Sequence, residues 1–150
     1  MHLQKMGKRR KARELAVQVL FNLWFSPSDP ENVFDLICEN FESRESIRPF
    51  AKDLVLGVCE KMKDLDKLIG QASKNWRLER MALLDKCVLR LAVFEILYLE
   101  DIPPKVSIDE AVEIGKKFGS EYSSSFVNGV LDNIYNTLIQ EGRLPKESEC

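Results

Sequence analysis

An all-α fold of about six to seven helices follows from three observations. Apolar residues recur at three- and four-residue steps through most of the chain, no segment sustains a period-two alternation, and no Asn-Gly or Asp-Gly turn separates two apolar runs. Asn128-Gly129 lies inside a helical pattern and is read as part of it. At 150 residues the chain fits one domain, large enough to remove roughly 68–70% of its unfolded surface from water without a metal or disulfide staple. The 45% apolar and 31% charged content is that of an ordinary globular protein, which places the burden of function on local patterns.

The first helix is expected over Lys8 to Phe25, with Ala12, Leu15, Ala16, Val19, Leu20 and Leu23 on one stripe. Pro27 and Pro30, with Ser26, Ser28 and Asp29, stop it. Asp29 with Pro30 then opens a short second helix that turns Val33, Phe34, Ile37, Cys38 and Phe41 inward. A longer third helix starts at Ser46 or Ile47, with Pro49 in its first turn, and keeps its period to about Ala72; Gly57 weakens it without ending it.

After a polar connection from Lys74 to Arg80, Leu83 to Leu99 is apolar on almost every side, the mark of a central helix. Asp101 to Pro104 breaks the pattern. Ser107 and Glu110 have the spacing of a capping box for a fifth helix through Ala111, Ile114 and Phe118, closed by Gly119. The last helix runs from about Glu121 to Gln140. The domain is expected over 1–145, with helical subdomains at about 8–73 and 80–140 and a polar tail over 143–150.

Charge supplies the strongest functional signal. Six of the 22 basic residues fall between Lys5 and Arg13 with no acidic residue among them, which leaves 16 against 24 acidic residues elsewhere. A positive pole on an acidic body concentrates a polyanion at one place. In helical projection Val17, Phe21 and Trp24 share a sector flanked by Arg10 and Arg13, so guanidinium groups for phosphate stand beside aromatic rings for a base or a protein partner. The same sector is equally consistent with a helix buried on two sides, or with one that faces a second copy in a homodimer.

Other classes find little support. There is no phosphate-binding glycine loop, no nucleophile elbow and no histidine besides His2, so catalysis is not expected. Cys38, Cys59, Cys87 and Cys150 are scattered without a CxxC pair, so no zinc site and no cofactor is expected. No apolar run reaches the ~18 residues of a membrane span, which points to a cytoplasmic protein. Glu79 and Asp85 bracket the entry to the central helix near Trp76, Arg77 and Arg80, where they either meet a basic partner or close local ion pairs. Phe126, off the main stripe of the last helix, is either packed at the rim or free to touch a ligand.

Four blocks resemble a known family in order along the chain: Arg9 to Phe21, Asp85 to Ile96, Asp109 to Gly119, and Ser125 to Asp132, the last reading SFVNGVLD. They are similar to the NusB family of transcription antitermination factors. The resemblance implies an all-helical, non-enzymatic protein that binds the boxA element of ribosomal RNA operon transcripts. It does so together with the small-subunit ribosomal protein NusE, within an antitermination complex on RNA polymerase. It implies that Arg10 and Arg13, assisted by Arg9, hold RNA phosphates, and that Phe126 and Tyr122 touch RNA near the last helix, with Lys105 and Arg90 as further RNA contacts. Phe21, Glu79 and Asp85 fall where the family meets its protein partner, and Trp24 extends that surface. Tyr122 and Ser124 stand where other members carry charged residues, and Trp76 stands near the place of a stacking aromatic. The alternative is a helical interaction module without specific RNA binding.

Overall fold

The computed structural model describes residues 2–40, 45–73 and 80–144. Six α-helices follow one another: α1 (His2–Phe25), α2 (Pro30–Asn40), α3 (Arg48–Ala72), α4 (Leu83–Tyr98), α5 (Pro104–Phe118) and α6 (Ser123–Gln140), with a single 3₁₀ turn at Glu45–Ile47 ahead of α3. No strand occurs among the described residues. Phe41, Lys74, Trp76, Arg77 and Glu79 lie outside them, as does most of the polar tail.

The apolar run of α4 becomes the axis of the molecule, because a helix with no polar face has to be surrounded. It packs against α1, α3, α5 and α6, and every residue from Asp85 to Ile96 except Arg90 is buried. The helices α1 to α3 pack on one another, α5 packs on α6, and one continuous apolar cluster runs through both groups. Leu54, Leu65, Ile69, Leu89, Ile114, Leu131, Ile134 and Leu138 are fully enclosed, each removing enough surface to contribute about 1.5–3 kcal/mol.

Three boundaries differ from the sequence reading. The first helix begins at His2, so the basic run lies within α1 and not at its free amino terminus. The fifth begins at Pro104 with Pro103 as its N-cap, because proline fits the first turn, where no intrahelical N–H bond is required. Ser107 and Glu110 therefore sit inside α5, both buried, and no side chain caps it. The last helix begins at Ser123, two residues later than expected.

Gly57 does more than weaken α3. A Cβ built there would stand 2.1 Å from Cζ of Phe94, so the missing side chain is the space that the ring occupies.

Candidate nucleic-acid interface

The basic stretch of α1 lies against α4 and α5, and both supply carboxylates to it. Arg13 is 3% exposed and bound edge-on by Glu95, with Nε to Oε2 and Nη2 to Oε1 both at 2.8 Å. Glu95, 1% exposed, also accepts a 2.8 Å bond from the Ser107 hydroxyl. Glu110 receives Arg10, with Nε to Oε1 at 3.0 Å and Nη2 to Oε2 at 2.6 Å, and its Oε1 lies 3.5 Å from Nη1 of Arg13. A chain of polar groups thus runs from Ser107 through Glu95, Arg13 and Glu110 to Arg10 at the surface.

This corrects two sequence expectations. Arg13 is not a surface ligand for phosphate, because its guanidinium is enclosed and held by two carboxylates. Ser107 and Glu110 spend their polar atoms on this network instead of on a helix cap. The arginines also stack on a different ring from the one that the projection indicated: Arg9 lies 5.0 Å and Arg13 5.7 Å from the ring centre of Phe50 on α3. A helical projection collapses the axis, and the fourteen steps from Arg10 to Trp24 span about 21 Å at 1.5 Å per residue. Val17, between them, is buried.

Lys8, Arg9, Arg10 and Lys11 keep the outward positions of the run, with the Lys11 side chain 65% exposed and 3.7 Å from Glu14. Arg9 pairs with Asp101 at 3.2 Å, and the Arg10 side chain stays 47% exposed despite its pair. Beside them a cleft of about 320 Å³ is lined by Arg10, Glu14, Glu113, Ile114, Lys116 and Lys117. Lys117 reaches Glu14 at 3.1 Å and lies 5.2 Å over the ring of Phe118, which is half exposed. With Asp101, Glu14, Glu110 and Glu113 so near, the positive pole is weaker than its count of basic residues.

The turn from α5 to α6 completes this edge. Its tightness comes from small residues: a Cβ on Gly119 would fall 2.5 Å from Oγ of Ser123, which accepts the Ser120 N–H at 3.1 Å. Tyr122, at 79%, is the most exposed large hydrophobic residue among the described residues, and Phe126 is partly buried against the core. Lys105 is exposed in the first turn of α5. Lys116, Lys117 and Phe118 were not singled out from sequence, although two lysines and an aromatic ahead of a terminating glycine are a readable basic-aromatic signal.

Arg90 belongs elsewhere. It is bound edge-on by Asp66 at 2.7 and 3.0 Å and lines a small pocket with Leu20, Leu23, Trp24, Cys59 and Met62, at the far end of α1 from Arg10. There Trp24 is 55% exposed with Nζ of the buried Lys86 5.0 Å over its ring, and Phe21 meets Phe25 at 5.3 Å. Asp85 is buried at the start of α4, and its Oδ1 has no hydrogen-bond partner among the described residues. Burial raises its pKa, and a hydrogen bond from Ser123 opposes the rise.

The hydrogen bonds from Arg10 hold the Glu110 carboxyl below its ordinary value of 4.5, against the opposing effect of burial. The stability from this pair is therefore complete above that value and is lost as pH falls through the lower folded-state pKa. In acid unfolding series, the advantage of the native chain over Glu110→Gln is expected to shrink as the pH drops below about 4.

Residues 10–136 match the model of the NusB family. The chain belongs to the NusB family. The transcription antitermination protein NusB of Desulforapulum autotrophicum is 50% identical over 131 residues, covering 86% of this chain and 92% of that protein. NusB of Bacillus pumilus is 46% identical over 134 residues, covering 89% and 99%. Among solved structures, T. maritima NusB superposes with a TM-score of 0.77 at 37% identity, covering 85% of this chain and 90% of its own. A structure of antitermination factors NusB and NusE in complex with dsRNA superposes at 0.78 with 28% identity, covering 88% and 98%. The matched NusB region takes in Arg10, Glu95, Glu110 and Tyr122 and leaves Arg9 just outside. No helix among the described residues is long and apolar enough to cross a membrane, and none of their His, Cys, Asp or Glu side chains cluster as metal ligands.

Proposed function

We propose that this chain is an antitermination factor that binds the boxA element of ribosomal RNA operon transcripts together with the ribosomal protein NusE. The observation that carries the reading is the edge formed by Arg9, Arg10, Lys116 and Lys117 with the exposed rings of Phe118 and Tyr122. Cations for phosphate beside open aromatic faces suit unpaired bases, whose faces are free to stack, better than a duplex, whose bases are already stacked. Its membership of a family with a solved complex of NusB, NusE and dsRNA supports NusE and RNA as partners, and the single-strand assignment stands on the exposed rings alone.

The protein partner is assigned to the opposite end of α1, where Phe21 and Trp24 lie, with Asp85 one residue before the Lys86 whose Nζ stands over the Trp24 ring. About 21 Å of helix separates this end from Arg10, so RNA and protein bind without competing for the same side chains. Glu79, outside the described residues, belongs to this proposal from the sequence alone. The pair then joins RNA polymerase to promote read-through, with no catalysis by this chain.

RNA affinity should be modest without the partner, because the cations are partly neutralised. Titration of a boxA-like single strand at several salt concentrations is the test. Arg9→Ala with Arg10→Ala is expected to weaken binding about tenfold at low salt. It should also flatten the dependence of log affinity on log salt by about 1.4, at roughly 0.7 per phosphate contact on a single strand. A variant that bound as tightly as the native chain, or no gain on adding NusE, would count against the reading. Stronger binding to a duplex of the same sequence would overturn the single-strand assignment.

A further inference from the structure

We infer that Glu110 is a specificity-determining residue of the RNA site, acting through Arg10; the inference rests on the RNA-binding reading above. A guanidinium carries five N–H donors in a fixed plane. Glu110 takes the Nε and Nη2 edge of Arg10 with bonds of 3.0 and 2.6 Å. Three donors are left, two on Nη1 and one on Nη2; one from each nitrogen shares the outer edge, which matches one phosphate edge-on.

Glu110 is able to impose that direction because it is itself immobile. Its side chain is 8% exposed, and its Oε1 is also 3.5 Å from the Arg13 guanidinium, which Glu95 clamps at 2.8 Å twice. The Arg10 side chain, 47% exposed, has its head anchored from inside and its outer edge presented to solvent. Without that anchor a long arginine samples many rotamers and meets a phosphate wherever one arrives. Removing the carboxylate also leaves one more net positive charge at the surface, which attracts any RNA. Glu110 thus trades general affinity for a fixed phosphate position, and with it a fixed register of the bases against Phe118 and Tyr122.

The test compares binding of a boxA-like single strand with a shuffled strand of the same length and composition, for native chain, Glu110→Gln, Arg10→Ala and the double variant. Glu110→Gln is expected to reduce the affinity ratio about fivefold, mainly because the shuffled strand binds more tightly once Arg10 is released. In the Arg10→Ala background the same substitution should leave the ratio unchanged, an outcome that a general loss of packing would not produce. If Glu110→Gln fails to fold, Arg10→Lys, which keeps the charge but not the edge-on pair, is expected to give the same loss of ratio. An unchanged ratio in a native chain that does discriminate would overturn the role of Glu110 and leave RNA binding intact. A native chain that binds both strands equally would overturn the boxA reading and this inference together.

Discussion

Glu95→Ala is expected to lower the free energy of unfolding by about 3–5 kcal/mol, the usual cost of stripping one partner from a buried ion pair. Glu95 is 1% exposed on the central helix, and it holds Arg13 at 2.8 Å twice and the Ser107 hydroxyl at 2.8 Å. Truncation opens a cavity and leaves a 3% exposed guanidinium with Glu110 alone, at 3.5 Å. A domain is stable by only about 5–15 kcal/mol, so about a fifth of that or more is at stake. The melting temperature should fall by on the order of 10 °C. Urea unfolding of Glu95→Ala beside a double variant, Glu95→Leu with Arg13→Met, separates the value of the pair from the cost of breaking it. Removing both charges is expected to restore most of the loss, because an apolar pair of similar volume needs no desolvation. A Glu95→Ala loss below about 1 kcal/mol would show that water reaches Arg13 and that the network is not integral to the core.

The same network marks where the sequence was legible and where it was not. The helices were readable because each buries a stripe or, for α4, its whole surface, and apolar periodicity records that directly. Proline and glycine placed most of the ends to within a few residues. Glu95 and Arg13, by contrast, lie 82 residues apart, and nothing local says that a glutamate in an apolar run awaits an arginine from another helix. Arg13 accordingly read as part of a surface run, although it alternates in burial with Arg9 and Arg10. Spacing that suggested a capping box at Ser107 and Glu110 arose from a different need, since both face α1 and α4. The exposure of Arg10 follows from its position off the apolar stripe of α1, whereas Tyr122, in the turn ahead of α6, is named from the family resemblance and not from periodicity. Arg90 was not legible, because its pairing with Asp66 depends on how α3 and α4 cross.

Gly57→Leu is expected to destabilise the fold by about 1–3 kcal/mol or more, and the sign is a contest between two effects. Replacing a mid-helix glycine by a good helix former gains about 1 kcal/mol from backbone entropy alone. Against this, a Cβ at position 57 would stand 2.1, 2.4 and 2.8 Å from three carbons of the Phe94 ring, so even alanine fits only if the ring moves by more than 1 Å, an order of magnitude set by carbon contact distances near 3.5–4.0 Å. That ring is 8% exposed and packs on Tyr98 at 5.3 Å, which leaves it little room to retreat. Overpacking therefore outweighs propensity for leucine, and for alanine the two nearly cancel. Thermal unfolding of Gly57→Ala, Gly57→Leu, Phe94→Leu and the doubles forms a cycle that isolates the contact. With Phe94→Leu in place, Gly57→Ala should turn stabilising by some tenths of a kcal/mol up to about 1, because the ring is gone and only the helix preference is left. If Gly57→Ala were equally destabilising in both backgrounds, the close approach of α3 to α4 would not be what requires glycine there.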